Sequence, residues 1–375
     1  MRGHKVNRVL ELFAGCGGAS LGLHWAGWKH LACVERDEAA AATLAAAGFP
    51  VLRADVRELD LSPFARRVDL LWASPPCQPG STAGKRRGSS DDRDGWPWTW
   101  DIIDAVRPTW FLAENVLGWT YHSRACRLDG GHHGCVGCSW EQSVLPALRD
   151  RFAFAGSWRL DAADYGTPQH RRRVLLWGGP LPLDAAPPPA THGDPDDEDT
   201  ALRGLAPWVS VRDAIGATLL ADDTCELHRC YPCDGTHGRA CSEPQRADRP
   251  APTVTTTEVK GTRAHAPLWS FNGGPDRASD AAFLMSGVRR IEVVEGLVLQ
   301  GFPADWPLQG TRTEQYRQVG NAVPPQMSKA LGHVVQAAQR VHLDLRRRQV
   351  DLTALRGALR RNPAAVPAWL GRTAA

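Results

Sequence analysis

Short apolar runs, each closing on glycine, proline or an acid, punctuate the N-terminal third of the chain. Val9–Phe13 is the first, followed by a glycine turn and a helical pattern from Ala19 to Ala26. "HLACVERD" is the second, and "AAAATLAAAG" is an Ala-rich helix closed by Gly48. "VLRADVREL" and "VDLLWASPPC" read as a third and fourth strand, with Asp55 near the end of one and Cys77 just past the end of the other. "TWDIIDAVRPTWFLAENV" gives a helix and then a fifth strand ending at Glu114. Strands alternating with helices predict an α/β fold with a doubly wound, mostly parallel sheet. Such sheets bind ligands beyond the carboxyl ends of their strands, where Asp55, Cys77 and Glu114 fall.

The texture changes after Pro180. "LPLDAAPPPATHGDPDDEDT" is Pro-rich and acidic, and periodicity stays weak to about residue 285. Order returns at "GVRRIEVVEGLVLQGFP", and in "VGNAVPPQMSKALGHVVQAAQRV" two prolines introduce a long helix. The expected partition is a Rossmann-like catalytic and cofactor-binding domain in 1–180, a small irregular second domain in 181–285, a return to the first domain in 286–345 and a basic tail in 346–375.

At 375 residues and 43% hydrophobic content the chain can bury a sizeable core. The net charge is only +3, but it is unevenly spread. From Gln339 to Ala375 eight Arg stand against two Asp, a local +6 that leaves the rest at −3. An Arg-rich terminus fits a nucleic-acid partner or a solvated helix face. No run reaches the roughly 18 apolar residues of a membrane span, so a cytoplasmic protein without a membrane partner is expected. In that compartment ten Cys point to catalysis or metal binding rather than disulfides.

In "ELFAGCGG" a strand runs into Gly15, Gly17 and Gly18, a turn that lets backbone approach a ligand at a helix N-terminus. Glu35, at the next strand end, is placed to accept from a ribose diol, and Asp55 from an adenine amino group. Phe13 is placed to stack on a purine or to pack in the core. Together they indicate a nucleoside-containing cofactor. "SPPCQPGSTAGKRRG" holds Cys77 between prolines and follows it with Lys85, Arg86, Arg87 and three glycines. An aimed thiol under a basic, glycine-hinged loop suits covalent attack on an anionic substrate. Glu114 is a crowded carboxyl that can hold or donate a proton. In "TPQHRRRV" Gln169, Arg171 and Arg173 alternate with His170 and Arg172, putting two Arg on one inward face, suited to a phosphate and a base oxygen.

Seven of the ten Cys crowd into two segments. Cys225, Cys230, Cys233 and Cys241 include a C-x-x-C and suit a tetrahedral structural zinc. Cys126, Cys135 and Cys138 make a second candidate site with one of His122, His132 or His133.

"ELFAGCGG", "SPPCQPGSTAGKRRG", "ENV", "QHRRR", "RRIEVVEGLVLQGFP" and "VGNAVPP" occur in an order that resembles the cytosine carbon-5 DNA methyltransferases, over roughly 6–180 and 245–338. The resemblance implies S-adenosylmethionine as cofactor and duplex DNA as partner, with the target cytosine flipped out of the helix. It makes Cys77 the nucleophile at carbon 6 and Glu114 the group that holds the ring N3. Arg173 becomes the contact to the base O2, Arg171 an orienter of nearby backbone and Gln169 a support of the DNA-side loop. Phe13, Gly15, Gly17, Glu35, Asp55, Pro75 and Asn321 become cofactor-pocket residues. Gln78, Ser81, Lys85, Arg86 and Arg87 fall in the loop that closes on DNA. The second domain would read the sequence. The enzyme would act as a monomer, with a cognate restriction endonuclease as a candidate companion. Two rivals stay open: an RNA cytosine carbon-5 methyltransferase, and a catalytically silent DNA-binding protein of the same fold.

Overall fold

The computed structural model describes residues 7–76, 95–123, 126, 128, 135–183, 186–216, 249–251, 253–254 and 292–361. The loop bearing Cys77, Gln78, Ser81, Lys85, Arg86 and Arg87 lies outside the described residues, as do His132, His133, Cys225, Cys230, Cys233 and Cys241.

Strands whose side chains are apolar on both faces need cover on both faces. Val9, Leu70, Trp72, Trp110 and Leu112 pack into one buried layer, whereas Leu10, Leu12, Leu71, Phe111 and Ala113 pack into another. These are the alternate residues of β1 (Arg8–Leu12), β4 (Leu70–Ala73) and β5 (Trp110–Val116). They form the centre of a seven-stranded sheet ordered β3-β2-β1-β4-β5-β7-β6, with β2 at Lys29–Glu35, β3 at Val51–Arg53, β6 at Phe154–Asp161 and β7 at Arg172–Gly179. The first five strands are parallel along the sheet, and β7 runs antiparallel to both β5 and β6. The order reverses between β1 and β4, which opens a crevice beyond their carboxyl ends.

The long helix introduced by the two prolines spans Pro325–Arg347. It covers one face of the sheet through Met327, Leu331 and Val335. Its buried amides tie it down: Gln339 accepts from the Trp110 indole at 2.6 Å, and Gln336 donates to the Ala26 carbonyl at 2.5 Å. Helix α1 (Gly18–Trp25) crosses the start of this helix at backbone distance. A Cβ on Gly22 would collide with the Pro325 carbonyl and the Ser328 hydroxyl, and one on Gly18 with the Val323 carbonyl. Gly22→Ala is therefore expected to cost more than about 3 kcal/mol or to abolish soluble expression, measured by urea unfolding. Close packing leaves no room for relief, because both colliding groups belong to the fixed start of the long helix.

Part of the weakly patterned middle packs on the main body rather than standing apart. Val211, Ile215, Ala251 and Val254 share a buried cluster with Cys16, Leu21, Leu297, Phe302 and Val319. The described part of the basic tail forms a helix at Leu352–Arg361. Arg356 donates to the Pro180 carbonyl at 3.2 Å and Arg360 to the Ala153 carbonyl at 3.0 Å. These carbonyls lie where β7 ends and β6 begins, on the amino edge of the sheet. A cleft of about 820 Å³ lined by Arg107, Arg151, Arg346 and Arg356 lies on that same edge. Among the described residues no helix is long and apolar enough to cross a membrane.

Candidate active site

Three neighbouring parallel strands are in register at the carboxyl edge. Leu12 pairs with Ala73, and Ala73 pairs with Ala113. The next residues along the chain are Phe13, Ser74 and Glu114, which follow directly on these paired positions. The Ser74 N–H donates to the Leu12 carbonyl at 3.2 Å, which carries the ladder one step past β4.

Beyond β1 the chain turns through left-handed backbone at Phe13 (φ 56°), Gly15 (φ 58°) and Gly17 (φ 96°). Phe13 is not a glycine, and such a conformation costs roughly 1–3 kcal/mol. Ala14 and Gly15 are held as the turn requires: Ala14 N–H donates to Val34 O at 3.1 Å, and Gly15 N–H donates to Glu35 Oε2 at 2.8 Å. The space where a Gly15 side chain would stand is open, with nothing within 4 Å. The Trp306 indole donates to the Cys16 carbonyl at 3.0 Å and braces the turn from outside. Cys16 itself is inert: burial pushes its thiol up to about 12.

Glu35 also accepts from Asp37 N–H at 2.7 Å, through the oxygen that does not face Gly15. Burial pushes its carboxyl above the ordinary range, against the pull of the Asp37 and Gly15 amides. Asp55 lies past the short β3 and caps the turn Val56–Glu58. Its carboxylate accepts from Arg57 Nε, Nη2 and backbone N–H and from Arg36 Nη1, at 2.7 to 3.2 Å. The Arg57 contacts hold it far below the usual carboxylate range. Four donors fill its lone pairs, so contact with an adenine amino group would require one guanidinium to give way.

Glu114 is not the last residue of its strand. β5 runs on to Val116, because antiparallel β7 pairs Glu114 with Leu175 and Val116 with Arg173. That pairing sets Arg173 diagonal to Glu114 on one sheet face, where Arg173 Nε meets Glu114 Oε1 at 2.6 Å. Both side chains are about nine-tenths buried. Arg173 Nη1 donates to the Arg172 carbonyl at 2.8 Å. The next residue, Asn115, is buried and donates from Nδ2 to the Pro75 carbonyl at 3.2 Å. This amide clamps the backbone two residues before Cys77 onto the strand of Glu114. On the other side Gly95 packs on the prolines: a Cβ there would lie 2.7 Å from Pro75 Cβ and 2.8 Å from Pro76 Cδ. The chain thus leaves at Pro76 and re-enters at Gly95 at one point on the carboxyl edge.

The inward alternation of Gln169, Arg171 and Arg173 holds in burial, with all three buried and Arg172 exposed, although β7 begins only at Arg172. Gln169 meets protein: Nε2 donates to Leu299 O at 3.2 Å and Gln300 Oε1 at 2.6 Å, and Oε1 accepts from Val254 N–H at 2.9 Å. Arg171 donates to Val254 O at 3.0 Å and Gly320 O at 2.9 Å. Both side chains bind the middle segment to the C-terminal return. Asn321, next to Gly320, is exposed at the end of the helix Arg312–Asn321. Asn115, Gly95 and Trp306 were passed over in the sequence. Asn115 alone carried a signal, as an amide next to Glu114 in an otherwise apolar strand.

Beyond the carboxyl end of β5, His122, Cys126, Cys135 and Cys138 come together with their ligand atoms within 4.8 Å of one another, a grouping that can hold a metal ion.

A left-handed glycine turn, the Pro75–Pro76 segment and a buried Glu–Arg pair share one edge of a doubly wound sheet, the edge where such folds bind ligands. The chain matches the C-5 cytosine-specific DNA methylase family over residues 7–184 and 237–337, and it belongs to that family. It is a DNA cytosine-5 methyltransferase. The Type II methyltransferase M.NaeI of Lentzea aerocolonigenes is 30% identical, over 92% of this chain and 78% of the relative. The Type II methyltransferase M.NgoMIV of Neisseria gonorrhoeae is 29% identical, over 87% of this chain and 96% of the relative. Among solved structures, the S. pombe Dnmt2 methyltransferase shares the fold at TM-score 0.58 and 17% identity, covering 89% of this chain and 99% of that one. The Entamoeba histolytica methyltransferase EhMeth does so at TM-score 0.56 and 16% identity, covering 88% and 98%.

Proposed function

We propose that the enzyme methylates carbon 5 of a cytosine flipped out of duplex DNA, with Cys77 as the covalent nucleophile. The observation that carries the reading is the paired line of Leu12, Ala73 and Ala113, which brings the residues that follow them, Phe13, Ser74 and Glu114, to one sheet edge on adjacent strands. The open space at Gly15 and the Glu35 carboxyl beside it fit the nucleoside end of S-adenosylmethionine, and Phe13, Gly17, Asp55, Pro75 and Asn321 are assigned to the same pocket. When bound, that cofactor supplies an electrophilic methyl group.

The protein's own part is as follows. The Cys77 thiolate adds to carbon 6 of the ring, and Glu114 holds the proton at N3, so carbon 5 becomes nucleophilic. After methylation a base, taken to be water, removes the carbon-5 proton and the sulfur leaves. Arg173 fixes Glu114 and is the contact to the base O2. Asn115 aims the thiol segment through the Pro75 carbonyl. Gln169 and Arg171 hold the walls on which the DNA-side residues Gln78, Ser81, Lys85, Arg86 and Arg87 close. The segment of about 181–285 reads the DNA sequence, braced by metal at Cys225, Cys230, Cys233 and Cys241. The Type II relatives support a place beside a restriction endonuclease.

Labelled methyl transfer tests the reading with duplex DNA and structured RNA side by side. Label in the DNA cytosine is expected. Label in RNA alone, or DNA binding without transfer, would overturn it.

A further inference from the structure

The cysteine–histidine cluster beyond β5 has the dimensions of a metal shell. Cys126 Sγ lies 3.6 Å from both Cys135 Sγ and Cys138 Sγ, and those two are 3.5 Å apart. His122 Nδ1 lies 3.8 Å from Cys135 Sγ and from Cys138 Sγ. A tetrahedral zinc with Zn–S of about 2.3 Å and Zn–N of about 2.0 Å needs ligand–ligand edges of about 3.5 to 3.8 Å. A disulfide needs sulfurs at about 2.05 Å, far inside these separations. The sixth edge, His122 Nδ1 to Cys126 Sγ, falls within 4.8 Å, so three thiols and one imidazole nitrogen surround a space of the size a tetrahedral ion needs.

The surroundings serve the same end. Cys135-x-x-Cys138 straddles the first turn of the helix Val136–Ser139. Gly137 lets that turn meet the backbone of Tyr121 and His122, where a Cβ would come within 2.8 to 2.9 Å of Tyr121 C and His122 N. Glu141, one turn further on, holds His122 Nε2 at 3.1 Å and so turns Nδ1 toward the sulfurs. A carboxylate behind a ligating histidine is the usual outer support of a zinc site. The Ser123 N–H lies 3.3 Å from Cys135 Sγ, a donor that suits a thiolate.

We propose that His122 Nδ1, Cys126, Cys135 and Cys138 bind one Zn²⁺ as a structural site, and that this ion braces the re-entry point of the Cys77 loop. His122 stands at the exit of β5 and Cys135 at the start of the chain leading to Trp140. The ion pins these two segments together. Trp119 and Trp140, one on each, pack edge-on against Trp96 at ring distances of 6.1 and 6.3 Å. Trp96 follows Gly95, where the Cys77 loop rejoins the sheet edge. The metal is remote from the chemistry in its role: it holds a wall.

Metal content and ligand shell of the full chain, purified without chelator, test the proposal. At least one zinc per chain is expected, with nitrogen present in the X-ray absorption shell: three sulfurs and one nitrogen if this site alone fills. The Cys135→Ser/Cys138→Ser variant should hold one zinc fewer than the parent. Stripping zinc from the parent should change its near-ultraviolet tryptophan dichroism, and zinc addition should restore it. Less than about 0.2 zinc per chain would overturn the proposal, as would an all-sulfur shell, which places the ion on the other cysteine group. These readouts do not depend on methyl transfer, and those on the parent hold even where a variant does not fold.

Discussion

Cys77→Ser is expected to lower single-turnover methyl transfer to duplex DNA by more than about 10⁴-fold, because loss of a covalent nucleophile removes the reaction path rather than one contact. A serine hydroxyl is far harder to ionise than a thiol, and neither Glu114 nor Arg173 is disposed to deprotonate it: one is engaged by the other at 2.6 Å. The fold should not change. Pro75 remains clamped by Asn115 and Gly95 remains packed on the prolines, since neither contact involves the residue 77 side chain. Affinities for DNA and S-adenosylmethionine should stay within about threefold of the parent, so the loss falls on the rate. Rapid-quench transfer with a short duplex, paired with equilibrium binding, separates the two. Retention of more than about 1% of the parent rate would remove Cys77 from the chemistry.

Glu114→Gln is expected to cost about 10²- to 10⁴-fold in the same rate. The glutamine amide can donate to the ring N3 but cannot deliver a proton, so carbon 5 gains less electron density. The substitution also leaves the buried Arg173 without its counter-charge, and breaking a buried pair can cost about 3–5 kcal/mol. Stability must therefore be measured with the rate. If Glu114 acts on the base, the rate falls at temperatures where urea unfolding shows the variant fully folded, and Cys77 still forms its adduct, more slowly. If it is only the partner of Arg173, Arg173→Met with Glu114→Gln restores both stability and rate. The first outcome is expected.

How far the sequence discloses this machinery depends on whether the governing contact is local. The glycine turn after β1 and the close of the Ala-rich helix at Gly48 are local, and they fall where the pattern puts them. So does the burial of Gln169, Arg171 and Arg173. The end of β5 is not local. It extends past Glu114 because antiparallel β7 supplies partners up to Val116, and nothing in "AENV" announces them. β6 is poorly visible for a related reason: Ala155, Gly156 and Ser157 carry little apolar signal. The strand is set by antiparallel β7, which pairs with all of Phe154–Asp161, and the Trp177 ring lies so close to Gly156 that a side chain there would collide. Asp55 shows a different gap. Its position was readable, but its occupation by Arg57 and Arg36 depends on side chains folding back across a turn. The place of His122 beside the three thiols rests on Glu141 and on Gly137, contacts that its own neighbours in the sequence do not announce.

The central claim is a transient bond between one sulfur and one pyrimidine. Incubation of the enzyme and S-adenosylmethionine with duplex DNA carrying 5-fluorocytosine at the target position tests it most directly, because fluorine replaces the proton that must leave before the sulfur can. The account predicts a denaturant-stable complex whose mass is that of protein, oligonucleotide and one added methyl, mapping to the peptide that contains Cys77. An enzyme that methylates ordinary DNA yet yields no such complex, or one attached through another residue, would contradict it.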